Sequence, residues 1–220
     1  MRTKLVAAAL LAAACGSHAG DDAPSQSADV VSACDGSTDA APDDLACTGL
    51  YTDVASKTLS PRVHEFAPAR AFWSDGADKT RWIDLPDGTT IDASKADDWS
   101  FPVGTKAWKE IRASGQRVET RFFWKVRDDR WLHAAYLWSP DGASAHRVDG
   151  ADTTVNGTPW HVPTSTECDD CHKGRKDRLL GFEAISLGLD GATGWNLAAL
   201  AAENRLAPPP KKTSLAIADD

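Results

Sequence analysis

Methionine is almost missing from this chain: the single one is Met1. A thioether side chain is therefore excluded as a ligand anywhere in the folded body. No apolar run is long enough to span a bilayer, since the longest, Leu5 to Ala14, covers ten residues against about 20 for a membrane helix. There is no Gly-rich phosphate loop, no Ser/His/Asp nucleophile signature, no internal repeat and no second Cys-x-x-Cys pair. Basic residues are outnumbered, with a formal net charge of -8. An acidic surface of this kind argues against nucleic acid as a partner and against adsorption to anionic lipid.

What is present sorts by position. Arg2 and Lys4 precede Leu5–Ala14 and read as the positive and apolar regions of an export signal. Cys15 follows Ala13 and Ala14 and precedes Gly16, which resembles a bacterial lipobox with Cys15 as the lipidated residue. Residues 1–14 are expected to be a signal peptide and 15–46, rich in Ser, Asp, Ala and Gly, a flexible tether. Residues 47–206 are expected to form one β-rich domain, and 207–220, opened by three prolines at 208–210, a disordered tail. The expected location is exported, lipid-anchored, at the periplasmic or outer surface. Cys34 and Cys47 remain as an orphan pair in an oxidising compartment and are expected to form a disulfide.

The middle of the chain reads as strands and turns. Arg81–Leu85, the turn Pro86-Asp87-Gly88 and Thr89–Asp92 suggest a hairpin. Thr105–Ala113, Arg117–Val126 and Trp131–Trp138, joined by short turns, suggest an antiparallel meander. In Arg117–Val126 the period of two puts Val118, Phe122, Trp124 and Val126 on one face and Glu119, Arg121 and Lys125 on the other. Thr164 to Glu167 offer helix-capping residues, and Thr193–Leu206 has helix-compatible apolar spacing stopped by Pro208. The fold class is α+β, mainly β: an antiparallel sheet followed by short helices. Nine tryptophans serve cores and flat ligand pockets.

The chemistry is concentrated in Cys168-Asp169-Asp170-Cys171-His172. Two thiols separated by two residues sit on one turn and can each add to a vinyl group of haem. The adjacent imidazole then reaches the iron. This string predicts one covalent haem c on Cys168, Cys171 and His172, with His172 the axial iron ligand. Two rival readings are a zinc site, with His161 as fourth ligand, and a redox dithiol. The sixth iron position cannot be Met. His133, on a strand with Trp131, Ala135 and Leu137, His161, and Lys109, which shares a strand face with Ala107 and Ile111, are the distal candidates. His64 and His146 read as loop residues.

The strings FPVGTKAWKEI, RWLHAAYLW and VPTSTECDDCHKGRKD, in that order, resemble the β-sheet mono-haem c-type cytochromes: the cytochromes c′-β and their hydroxylamine-oxidising relatives. The resemblance covers residues 101–185. It implies a largely antiparallel sheet and a five-coordinate haem with a distal pocket, and it matches Lys109 to the Lys near haem in the hydroxylamine-oxidising members. FWSDGADKTRWIDLPDGTTID is similar to exported bacterial proteins that also carry a late haem motif. The functions expected are electron transfer with a redox partner protein, or binding or oxidation of a small nitrogen species such as nitric oxide or hydroxylamine. A structural lipoprotein with a zinc-bound Cys/His cluster is the third reading.

Overall fold

A computed structural model describes Cys34 and residues 36–73 and 76–217. The expected signal peptide, the Cys15 lipid site and tether residues 16–33 lie outside the described residues, as do 218–220.

After a single 3₁₀ turn, Leu45–Thr48, the strands β1 (Tyr51–Asp53) and β2 (Thr58–Leu59) make a small antiparallel ribbon. Then follow β3 (His64–Ala67), β4 (Asp78–Asp84), β5 (Ile91–Asp92), β6 (Lys106–Ala113), β7 (Gln116–Arg127), β8 (Arg130–Trp138) and β9 (Ala145–Val148). A hairpin of β10 (Ala151–Val155) and β11 (Thr158–Val162) leads into helix α1 (Ser165–His172). The chain ends with α2 (Ala184–Gly188), β12 (Thr193–Gly194), α3 (Leu197–Ala202) and β13 (Leu206–Ala207). The main sheet has seven strands in the order β12-β3-β4-β6-β7-β8-β9, with antiparallel neighbours throughout.

The expected meander is there, and its turns follow their chemistry. Ser114 and Gly115 both take positive φ, the conformation a two-residue hairpin turn needs to match strand twist. Asn156-Gly157 does the same between β10 and β11.

Successive side chains alternate across the sheet, so β7 feeds two cores. Phe122, with Trp108, Tyr136 and Trp138, packs under the 3₁₀ turn and β1. Phe123, with Ile83, Ala107 and Trp131, packs against Phe101, Phe182 and the helices that follow α1. Six of the nine tryptophans are buried, the expected core use; Trp73, 85% exposed, is the exception on the outside.

Several segments depart from the sequence expectation. Ile91–Asp92 does not return on β4. It pairs in parallel with Leu206–Ala207, because Ile91 is fully buried beside Leu206 in the second core and both edges of β4 are taken by β3 and β6. The helix expected over Thr193–Leu206 is confined to Leu197–Ala202. Gly194 lies on β12 at φ 69, where a Cβ would collide with the Glu65 carbonyl, and Asn196 caps the helix by accepting from Ala199 N at 3.0 Å. The end of the tether belongs to the folded body: Ala41 and Leu45 are buried, and Tyr136 Oη donates to Pro42 O at 2.8 Å. The tail is also docked in part, with Leu215 N donating to Gly188 O at 2.7 Å. Cys34 and Cys47 are disulfide-bonded, Cα to Cα 5.4 Å. His64 and His146 lie on strands, His64 stacked on Trp195 at 4.0 Å between ring centroids.

The charged side of β7 is buried as thoroughly as the apolar one. Lys125 Nζ donates to both Asp177 carboxylate oxygens, at 2.8 and 2.9 Å, and to Phe101 O at 2.8 Å. Asp177 also accepts from Phe101 N at 2.6 Å and Trp131 Nε1 at 3.1 Å. The pair is 3% and 1% exposed, so each charge depends on the other and on these neutral donors and acceptors. Lys125→Met leaves Asp177 uncompensated and is expected to cost about 3–5 kcal/mol in urea unfolding. The double variant Lys125→Met/Asp177→Leu is expected to recover most of that loss.

Candidate functional site

Helix α1 is fixed before its chemistry begins. Thr164 and Glu167 form a capping box: Glu167 N donates to Thr164 Oγ1 at 3.2 Å and Thr164 N to Glu167 Oε2 at 2.8 Å. Ser165 N donates to Asp149 Oδ1 at 2.7 Å. With the start pinned, Cys168 and Cys171, three apart, share a helix face, and both line one cavity of about 550 Å³. Cys168 is buried and Cys171 exposed; neither is disulfide-bonded. Burial pushes the Cys168 thiol up from its ordinary value.

His172 closes the helix and lines the same cavity. Its Nδ1 lies 2.5 Å from Arg178 O. A carbonyl only accepts, so Nδ1 carries the proton and Nε2 keeps its lone pair. Burial is the main influence on this imidazole and lowers its pKa, which favours the neutral ring. Phe123 packs against it, ring centroids 4.6 Å apart. A ring nitrogen donating to a backbone carbonyl is the arrangement that orients a metal-ligating His.

The cavity is walled by the sheet. Across β4, β6, β7 and β8, one row of facing residues is Ile83, Ala107, Phe123 and His133; the next is Arg81, Lys109, Arg121 and Ala135. Ala107, Lys109 and Ile111 therefore share the cavity face, with Trp108 in the opposite core. Phe66 and Phe182 add apolar wall, and Phe72 and Trp73, 54% and 85% exposed, stand at the same cavity. The volume lies within the range of about 300–1,000 Å³ typical of ligand pockets. Two free thiols on one helix turn, a neutral imidazole with an available Nε2 and an aromatic lining fit a covalently held haem.

The distal candidates separate. His133 lies against the helix: its Nε2 meets Ser165 O at 3.1 Å, its ring stacks on Phe123 at 5.5 Å, and it lines a second, smaller cavity that shares only Cys168 with the main one. It is a packing residue, not a ligand facing His172. His161 does line the main cavity, but Nδ1 is held by Asp152 at 2.8 Å and Nε2 by Glu167 at 3.1 Å. Both nitrogens are committed, for iron and for zinc alike. Among the described residues no three His, Cys, Asp or Glu side chains gather as a metal site. Lys109 remains, facing the cavity. Burial first, then Arg121 and Arg81, bring its ammonium down to about 7.

Arg81, Arg121 and Lys79 in the wall, Arg178, whose carbonyl accepts from His172 Nδ1, and Asp177 beside it were not foreseen as site residues. The period of β7 put Arg121 with Glu119; only the register could show that this face looks into a cavity.

Two outcomes follow. Glu167 is held down to about 2, first by the Thr164 amide and then by His161, and His161 is raised by Asp152 and Glu167. The Glu167 contribution is complete above its ordinary value of 4.5 and fades as pH falls through about 2. That of His161 is complete below 6.5 and is lost as pH rises through its elevated value. His161→Gln is expected to lower the melting temperature most between those two ordinary values, and progressively less at alkaline pH. For Lys109 the sign is reversed. Below about pH 7 the ammonium is charged in both folded and unfolded chains and its penalty is full; from there to 10.5 the folded chain releases the proton first, so stability rises with pH. Lys109→Met is expected to raise the melting temperature, most below pH 7 and least near pH 10.5, as read by thermal unfolding across pH.

Comparison with protein-family models, with curated proteins and with solved structures finds no match to this chain.

Proposed function

We propose that this protein is a covalent c-type haem protein that transfers electrons at the periplasmic or outer cell surface, held there by a lipid on Cys15. The observation that carries the reading is His172: its Nδ1 bonded to Arg178 O, in a cavity that Cys168 and Cys171 also line. When bound, haem supplies one-electron redox chemistry. The chain's own part is to hold and tune it. Cys168 and Cys171 would hold the macrocycle and His172 Nε2 would ligate the iron, while Arg178 O keeps the proton on Nδ1. Phe123, Phe66 and Phe182 exclude water, which raises the cost of a charge change at the centre.

A redox partner protein is the partner assigned to it, and the formal net charge of -8 argues against nucleic acid. Membrane contact is assigned to the lipid on Cys15; among the described residues no helix is long and apolar enough to cross a bilayer.

A second reading, binding or oxidation of nitric oxide or hydroxylamine at an open distal position, is favoured by one observation. His161, the only other imidazole lining the cavity among the described residues, has both nitrogens engaged. Zinc is disfavoured by the same engagement.

Protein matured in a strain that attaches c-type haem is expected to carry the mass of one haem per chain and a haem absorbance that survives denaturation. Cys168→Ala/Cys171→Ala is expected to abolish the covalent adduct, and His172→Ala to keep it with an altered spectrum. A colourless, unmodified mature chain sinks the reading. Addition of carbon monoxide to the reduced protein separates the two roles: an unchanged spectrum selects electron transfer, a rapid shift the open site.

A further inference from the structure

The second row of the cavity wall is electrostatically unfavourable as it stands. Arg81, Lys109 and Arg121 face one another directly across β4, β6 and β7. Like charges opposite each other in a sheet are destabilising, and here three follow in line. A fourth cation, Lys79, lines the same cavity one row away. Of these, Arg121 alone has a carboxylate, Glu119 at 2.8 Å; Lys79 Nζ donates to Phe72 O. Lys109 and Arg81 have neither hydrogen bond nor ion pair among the described residues, although Arg81 is only 8% exposed. A guanidinium buried to that degree and facing a cavity without a counter-charge is costly. The wall is complete only with negative charge in front of it.

The fork of a guanidinium and the flanking ammonium suit the oxygens of one chemical group. We infer that the row Arg81–Lys109–Arg121 is an oxyanion-binding site, receiving a carboxylate or a small inorganic oxyanion by charge-assisted hydrogen bonds. Two sources share that chemistry. One is the propionate carboxylates of the haem, an occupant that rests on the haem reading. The other is a free oxyanion entering the cavity from solvent, which does not depend on it. In either case the low-dielectric aromatic lining strengthens the interaction relative to one in water.

The test uses the full chain, prepared with and without haem maturation, and sulfate as probe with chloride replaced at constant ionic strength. In the unmatured chain the melting temperature is expected to rise saturably with sulfate. The apparent affinity is expected to fall at least tenfold in Arg81→Met and in Lys109→Met, and to hold in Arg127→Met, which removes an exposed charge elsewhere. Without sulfate, Arg81→Met and Lys109→Met are expected to melt higher than the parent, because repulsion is relieved. In the haem-carrying protein, sulfate binding that persists and is lost in Arg81→Met identifies a free oxyanion. Loss of the sulfate effect together with a more negative reduction potential in Arg81→Met identifies the propionates.

Sulfate stabilisation that is absent, or equal in all variants, overturns the proposal. If the unmatured chain does not fold, the haem-carrying arms decide alone: no sulfate binding and no change in potential also overturn it. A chain that takes no haem sinks the haem reading only, since the sulfate titration of the unmatured chain still gives its own answer.

Discussion

The salt link between Lys125 and Asp177 is the constraint on which the rest of this molecule turns. Lys125 belongs to the longest strand, and Asp177 to the loop that follows the Cys-x-x-Cys-His helix. Their contact draws that loop down onto the sheet and satisfies Phe101 N, Phe101 O and Trp131 Nε1 in doing so. Arg178 comes next in sequence, at φ 55, and its carbonyl meets His172. The orientation of the His172 imidazole is thus set by a charge pair outside the candidate site. A neutral pair of similar volume would fill the same space, but it would not fix the loop through four directional bonds.

Much of the architecture was legible because local chemistry and global pairing agree. The meander over β6, β7 and β8 follows from alternation and from turns that tolerate positive φ. The capped helix follows from Thr164 and Glu167, and the Cys34–Cys47 link from compartment and spacing. The failures occur where pairing partners are far apart in sequence. Nothing near Ile91 names Leu206 as its neighbour, and nothing in TGWNLAALAAENRL shows that Gly194 is needed against Glu65. Composition made 15–46 look like a tether, yet Ala41 and Leu45 cover the tryptophan-rich face of the sheet.

The site was legible along the chain and illegible across it. Cys168, Cys171 and His172 could be named from five residues, since an α-helical turn fixes their relation. The wall opposite them depends on strand register. Period two assigned Lys109 to a face with Ala107 and Ile111; it could not say that Arg81 and Arg121 would stand beside it. His133 illustrates the same limit: Nε2 of this strand histidine meets a helix carbonyl, and only the crossing of α1 over β8 reveals which.

The bonded Cys34 and Cys47 have a bearing on how the chain matures. The fold asks opposite redox fates of four sulfurs: one pair is joined, while Cys168 and Cys171 stay free on a helix turn. A premature bond between the latter two, or an exchange across the pairs, would remove the nucleophiles the proposed attachment needs. Burial that keeps the Cys168 thiol protonated slows its attack on any disulfide. Once the chain is folded, the same burial therefore holds this sulfur back from exchange with the Cys34–Cys47 bond.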